Sequence, residues 1–143
     1  MISYRLVQNK SSNPKMTGKW YAKVVTGQTV TTEKIAERIQ SSCSMKKSDV
    51  VAVLSELAEV IADIVKEGQR AQLDGIGCFK AGLSSRGAES EEKFEVQKHI
   101  RGLHLIYQPI SRKLSTGKRE KVFLSGARVQ RYKEFTEESN GNG

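Results

Sequence analysis

The chain has 143 residues, enough for one domain with a modest core and crowded for two. Hydrophobic residues make up 37% and aromatics 6%, too little for a thick monomeric interior, so a core completed by a partner chain is expected. The net charge of +8 and isoelectric point of about 9.6 point to a polyanion, either nucleic acid or an acidic membrane surface, and no apolar run approaches the ~18 residues that a membrane-spanning helix needs.

Residues 3–8 and 19–25 are short and rich in aromatic and β-branched types, and the loop-forming 9–15 between them predicts a β-hairpin. Trp20 and Tyr21 read as its hydrophobic cover. Gly27 breaks the strand. Thr31, Thr32 and Glu33 make a helix start, since hydroxyls accept unpaired amide hydrogens and an acid suits the positive end of the dipole. Ile35, Ala36, Ile39 and Cys43 at helical spacing predict a first helix over about 32–42. After a polar break at 41–48, Val50, Val53, Leu54, Leu57, Val60, Ile61, Ile64 and Val65 recur in steps of three and four. Gly68 stops this second helix. The pair forms a helical hairpin, and the stripe is broad enough for two neighbours: the first helix and the same helix of a second chain.

From Arg70 the period becomes two. Ala71 and Leu73 alternate with polar residues, Asp74-Gly75 turns, and the strand resumes over Cys78–Ala81. Residues 84–93 form a polar loop, and 94–96 and 103–107 return to strand type before Pro109. A short helix is expected over 110–114, a last strand at 122–124, and disorder over 134–143, which lack core material. The order predicts an α+β fold with helices on one face of an antiparallel sheet.

Charge is segregated. Residues 1–30 carry Arg5, Lys10, Lys15, Lys19 and Lys23 and no acid, and over 101–133 the only acid is Glu120. The stretch from Asp49 to Asp74 is acidic by contrast. Cys43 and Cys78 form no CxxC pattern and read as small core residues rather than a disulfide or metal pair. With no charged-then-apolar leader in view, a cytosolic, reducing location is expected.

The run from Lys66 through Gly68, Leu73, Gly75, Ile76, Gly77 and Cys78 to Phe79 resembles the signature region of the bacterial histone-like HU and integration host factor family. There a long helix ends in glycine and a Gly-Phe-Gly-x-Phe turn opens the next strand; isoleucine replaces the first phenylalanine here. The resemblance covers residues 28–117. The flanks, a hairpin extension over 1–27 and a basic extension over 118–143, look like those of longer HU-related proteins of the Bacteroides group. It implies an intertwined homodimer with a two-stranded β-arm that reaches around DNA in the nucleoid. Its dimer core would be Val50, Val53, Leu54, Leu57, Val60, Ile61, Ile64 and Phe79. The family's arm ends in a proline wedge, whereas Ala81–Arg101 holds four cations, four glutamates and no proline, which leaves the basic flanks to carry phosphate binding.

Phosphate binding needs several cations on one surface with no strict spacing. The candidates are Lys80, Arg86, Lys98 and Arg101 on the arm, and Arg112, Lys113, Lys118, Arg119 and Lys121 beyond it. The expected partners are double-stranded DNA, held with little sequence preference, and a second copy; no membrane or small-molecule substrate is expected. His99 and His104 complete no metal set, Gly75-x-Gly77 lacks nucleotide-loop spacing, and no nucleophile has a base, so neither cofactor, metal nor catalysis is expected. A second reading, an interaction or assembly module on the same fold, draws on the acidic run Glu89-Ser90-Glu91-Glu92. Single-strand or RNA binding is a third, weakened by the few aromatics available for stacking.

Overall fold

The structure is a computed structural model and describes residues 1–133; the tail expected to be disordered, 134–143, lies outside the described residues. In chain order the elements are β1 (Ile2–Gln8), β2 (Trp20–Val24), α1 (Thr32–Gln40), α2 (Lys47–Lys66), β3 (Ala71–Leu73), β4 (Gly77–Ser85), α3 (Val96–His99), β5 (Ile100–Pro109), β6 (Ser111–Lys113), β7 (Arg119–Lys121) and β8 (Val129–Arg131). They fall into two compact units, Met1–Thr29 with the described residues from Gly126 onward, and Val30–Ser125. The stretch 118–143, one extension by sequence, is thus divided after Ser125.

The first unit is a three-stranded sheet of order β2-β1-β8. β1 and β2 pair antiparallel from Tyr4 opposite Val24 to Gln8 opposite Trp20, and β8 runs parallel to β1 with Ile2 opposite Val129. The connecting loop is set by local side-chain bonds: Asn9 Oδ1 accepts the Ser11 N–H at 2.7 Å and Asn13 Oδ1 that of Lys15 at 3.1 Å. The hairpin is as expected, but Trp20 does not cover it: the indole is 61% exposed.

In the second unit α1 and α2 form the helical hairpin. Thr31 occupies the N-cap position of α1 in an extended conformation, but its hydroxyl makes no capping bond, contrary to the expected role. Instead Lys47 at the start of α2 reaches Glu37 at 3.0 Å and Glu33 at 3.5 Å, and Lys34 meets Glu37 at 2.9 Å. Hydrogen bonds from Lys34 and then Lys47 hold the Glu37 carboxyl below its ordinary pKa. At the far end of α2, Gln69 N–H bonds Ile64 O at 3.1 Å and Gly68 N–H bonds Val65 O at 3.0 Å. With Gly68 at φ +77° this is a Schellman stop.

The turn after β3 is closed by Ile76 N–H to Leu73 O at 3.1 Å and pinned by the Tyr107 hydroxyl, which donates to Ile76 O at 2.8 Å. Gly77, buried at φ +143°, lies where a Cβ would run into the Gln108 carbonyl, so this place in the signature turn admits glycine alone. β4 and β5 then run as a long antiparallel arm, Gly77 opposite Pro109 out to Ser85 opposite Ile100. The register slips between Ser84 and Ser85 and leaves Arg101 without a cross-strand partner.

Alternation gives the arm two faces. Gly77, Phe79, Ala81 and Leu83 share one with Pro109, Tyr107, Leu105 and Leu103, and the Phe79 and Tyr107 rings stack at 5.1 Å. Toward the tip this apolar face is bare, with Leu103 77% exposed. Among the described residues only Ala36, Val50 and Ala71 are buried hydrophobics. On α2, Leu54, Leu57, Ile61 and Ile64 are half-buried, while Val53 and Val60 are 56% and 50% exposed.

Four local expectations are corrected. Residues 94–96 are not a strand: Phe94 stacks on His99 at 5.0 Å, and Nδ1 of His99 accepts the Glu95 N–H at 2.8 Å, which winds the segment into α3. The helix expected over 110–114 is replaced by the strand β6, Ser111–Lys113, because these residues pair in register with β7 across the Gly117 turn. The strand expected at 122–124 is a single 3-10 turn, closed by Ser125 N–H to Val122 O at 3.2 Å. Cys43 is exposed in the turn after α1 rather than in the core; both cysteines are free thiols.

Candidate nucleic-acid interface

The arm spreads its cations out. Lys80 sits at the base of β4 opposite Ile106, on the face that carries Gly82 and His104. His104 lies across Gly82, with Nδ1 3.4 Å from Ser84 Oγ, so this histidine packs against the strand and its position is explained without a ligand. Arg86 follows β4 directly, its backbone N–H donating to His99 O at 2.6 Å, and Arg101 occupies the bulge. Lys80, Arg86 and Arg101 make no ion pair among the described residues. Lys98 does: its Nζ lies 2.7 Å from Glu95, and Lys93 lies 2.9 Å from Glu89. The arm tip, with Arg86, Lys93 and Lys98 against four glutamates, is therefore largely self-neutralised, and of the four arm candidates Lys98 is the one engaged in an ion pair.

Beyond the arm, β6 and β7 form a two-stranded ribbon with Ser111 opposite Lys121, Arg112 opposite Glu120 and Lys113 opposite Arg119. Directly opposed residues share a face and neighbours alternate. Lys113, Arg119 and Lys121 therefore stand together with Ser111 on one face, and Arg112 stands on the other. There Arg112 Nε meets Glu120 Oε2 at 2.8 Å and Nη2 donates to Ser125 Oγ at 2.8 Å. Arg112 is thus a strut of the ribbon and leaves the set of free cations. Lys118 lies in the connecting turn, where its carbonyl accepts the Leu114 N–H at 2.8 Å. The only acid of this region had been visible in the sequence; its register opposite Arg112 had not.

The Arg112 hydrogen bond, then the Ser125 hydroxyl, hold the Glu120 carboxyl below its ordinary pKa. A carboxyl depressed in the folded state contributes stability above its ordinary value and loses it as pH falls through the depressed one. The stability difference between the wild type and Glu120→Gln is therefore expected to be full at neutral pH and to vanish on acidification. Thermal melts of both proteins across the acid range check this; a difference independent of pH would contradict it.

Among the described residues no group of His, Cys, Asp or Glu is placed to hold a metal ion, and no helix is long and apolar enough to cross a membrane.

A helical hairpin on a small sheet that extends into a two-stranded arm defines an HU-like fold. The chain belongs to the HU-HIG family, the HU domain fused to wHTH, Ig, or glycine-rich motif, whose family model matches residues 1–123. Among solved structures it is similar to a protein of Bacteroides vulgatus proposed to bind DNA, at 13% identity and a TM-score of 0.59. That likeness covers 91% of this chain, which spans 47% of the Bacteroides protein. Anabaena HU from a DNA cocrystal aligns at 17% identity over 55% of this chain and 85% of its own, with a TM-score of 0.40, too distant to carry an inference. No curated protein matches the chain.

Proposed function

We propose that this protein binds double-stranded DNA as a homodimer, with little sequence preference, and acts as an architectural, non-enzymatic component of the bacterial nucleoid in the cytoplasm. The observation that carries the reading is the division of charge across the β6–β7 ribbon: three cations share one face while the single acid is consumed on the other. Cations so grouped grip phosphates without reading base edges. Lys118 in the turn and Lys80, Arg86 and Arg101 on the arm, which make no ion pair among the described residues, are further candidates for phosphate contact. Family membership and the described role of the Bacteroides vulgatus protein agree with this reading.

The homodimer is supported by what one chain leaves bare: half of Val53 and Val60 on α2, and Leu83, Leu103 and Leu105 on the arm. The tip carries no wedge of the proline type and, with four glutamates against Arg86, Lys93 and Lys98, no excess of positive charge, so phosphate contact is assigned chiefly to the ribbon.

The direct test is titration of random-sequence linear duplex with the purified protein. For ~6–10 phosphate contacts, affinity is expected to fall about 10³–10⁵-fold between 50 and 200 mM salt. Undetectable binding at low salt would overturn the reading. The self-neutralised arm tip favours one alternative, an interaction or assembly module on this fold, under which duplex affinity would be indifferent to the ribbon's charge.

A further inference from the structure

We infer that the three-stranded sheet of the first unit is a second duplex-DNA phosphate-binding surface, centred on Arg5 and Lys23. This rests on the duplex-binding reading above and adds to it a site on a different unit of the chain.

The first observation is where the charge resides. Within Val30–Ser125, sixteen lysines and arginines face thirteen acids, so the helical hairpin, arm and ribbon together come close to balance. The described part of the first unit has five cations from Met1–Thr29 and three from Gly126–Lys133, and no acid. Its only acids, Glu134, Glu137 and Glu138, come after Lys133 in the sequence. None of the eight cations makes an ion pair among the described residues, whereas the second unit's helices and arm tip are laced with them.

The second observation is geometric. Arg5 on β1 lies directly opposite Lys23 on β2. Opposed residues on one face of an antiparallel pair have Cβ atoms about 4.5–5.5 Å apart, and like charges placed so destabilise the pairing. Next along the same face, Val7 opposes Tyr21, and a shallow depression there is bordered by Lys10, Tyr21 and Lys23. A phosphodiester seated between the Arg5 guanidinium and the Lys23 ammonium converts the repulsion into two charge-assisted contacts, with Lys10 near the next phosphate. The β-hairpin frame fixes the backbone positions from which the two side chains reach, so the ligand orders only the side chains themselves.

The test uses the full chain, a labelled random-sequence linear duplex, and the slope of log affinity against log salt. Each lost phosphate contact lowers the slope by about 1. Arg5→Gln with Lys23→Gln is expected to lower it by about 2 for each protomer that engages the duplex. Lys34→Gln with Lys66→Gln removes equal charge from helix ion pairs and is expected to leave it unchanged. The exchange Arg5→Lys with Lys23→Arg keeps the charge and is expected to keep the slope. Without DNA, the neutral double variant is expected to melt no lower than wild type, since it relieves opposed like charges. A wild-type slope in the neutral variant overturns the inference while duplex binding by the ribbon stands. A slope lost equally in the charge-preserving exchange also overturns it, because the effect would then be one of folding. No binding by the wild type at low salt overturns both readings.

Discussion

Replacing Val53 and Val60 by glutamate together is expected to leave single chains in solution, in place of the dimer proposed for the wild type. Both side chains lie on α2 seven residues apart, two helical turns, and with Ala52, Glu56 and Leu57 they border one open apolar strip. About half of each remains bare in one chain. Full burial of such a side chain is worth about 1.5–3 kcal/mol, so two half-bare positions on each of two chains carry roughly 3–6 kcal/mol. That corresponds to about 10²–10⁴ in the dissociation constant of the dimer, before the cost of burying four carboxylates is added. The experiment separates the alternatives cleanly. On a protein that works as a single chain, polar residues at two exposed helix positions change stability by about 0.5 kcal/mol or less each. Sedimentation or light scattering, with circular dichroism to show that the helices persist, decides the matter. A wild type of single-chain mass would overturn the dimer at once.

Neutralising the ribbon face is the second large expected effect. Lys113→Gln, Arg119→Gln and Lys121→Gln together remove three cations from one face and leave the Arg112–Glu120 strut intact. Three phosphate contacts account for about 2.7 in the salt slope for each protomer that engages the duplex, so duplex affinity at ~0.1 M salt is expected to fall roughly 10²–10³-fold per engaged protomer. The loss should be uniform across DNA sequences, because backbone contacts position the protein without reading bases. Arg112→Gln is the informative partner. It changes net charge by one like any of the three, but it is expected to loosen the ribbon and not simply to subtract one contact. A triple variant that binds as the wild type does would move the interface away from β6–β7 and favour the interaction-module alternative.

Much of the frame was legible in the sequence because it rests on local signals. The period of three and four from Val50 to Val65, Gly68 at its end and Asp74-Gly75 in the turn each write one element within a few residues. Elements that depend on distant partners were not legible. Ser111–Lys113 has no apolar pattern and becomes a strand only because Arg119–Lys121 returns beside it. The segment 122–124 has the apolar character of a strand, but its pairing ends when Val122 N–H reaches Ile110 O at 2.9 Å. Phe94 and Val96 suggested a strand, and a histidine bonded back to Glu95 made a helical turn. The candidate cations show the same limit. Their number could be counted in the sequence, but the register that frees Lys113, Arg119 and Lys121 and engages Arg112 could not.

The parallel pairing of β1 with β8 sets an order of events in biosynthesis. β1 and β2 are neighbours in the chain and can zip together as soon as they emerge. The other edge of β1 must wait for Val129–Arg131, which follow the whole of Val30–Ser125. Throughout that interval the nascent hairpin offers an open strand edge, and its own cations, Arg5, Lys10, Lys15, Lys19 and Lys23, through mutual repulsion help keep neighbouring hairpins from adding to it.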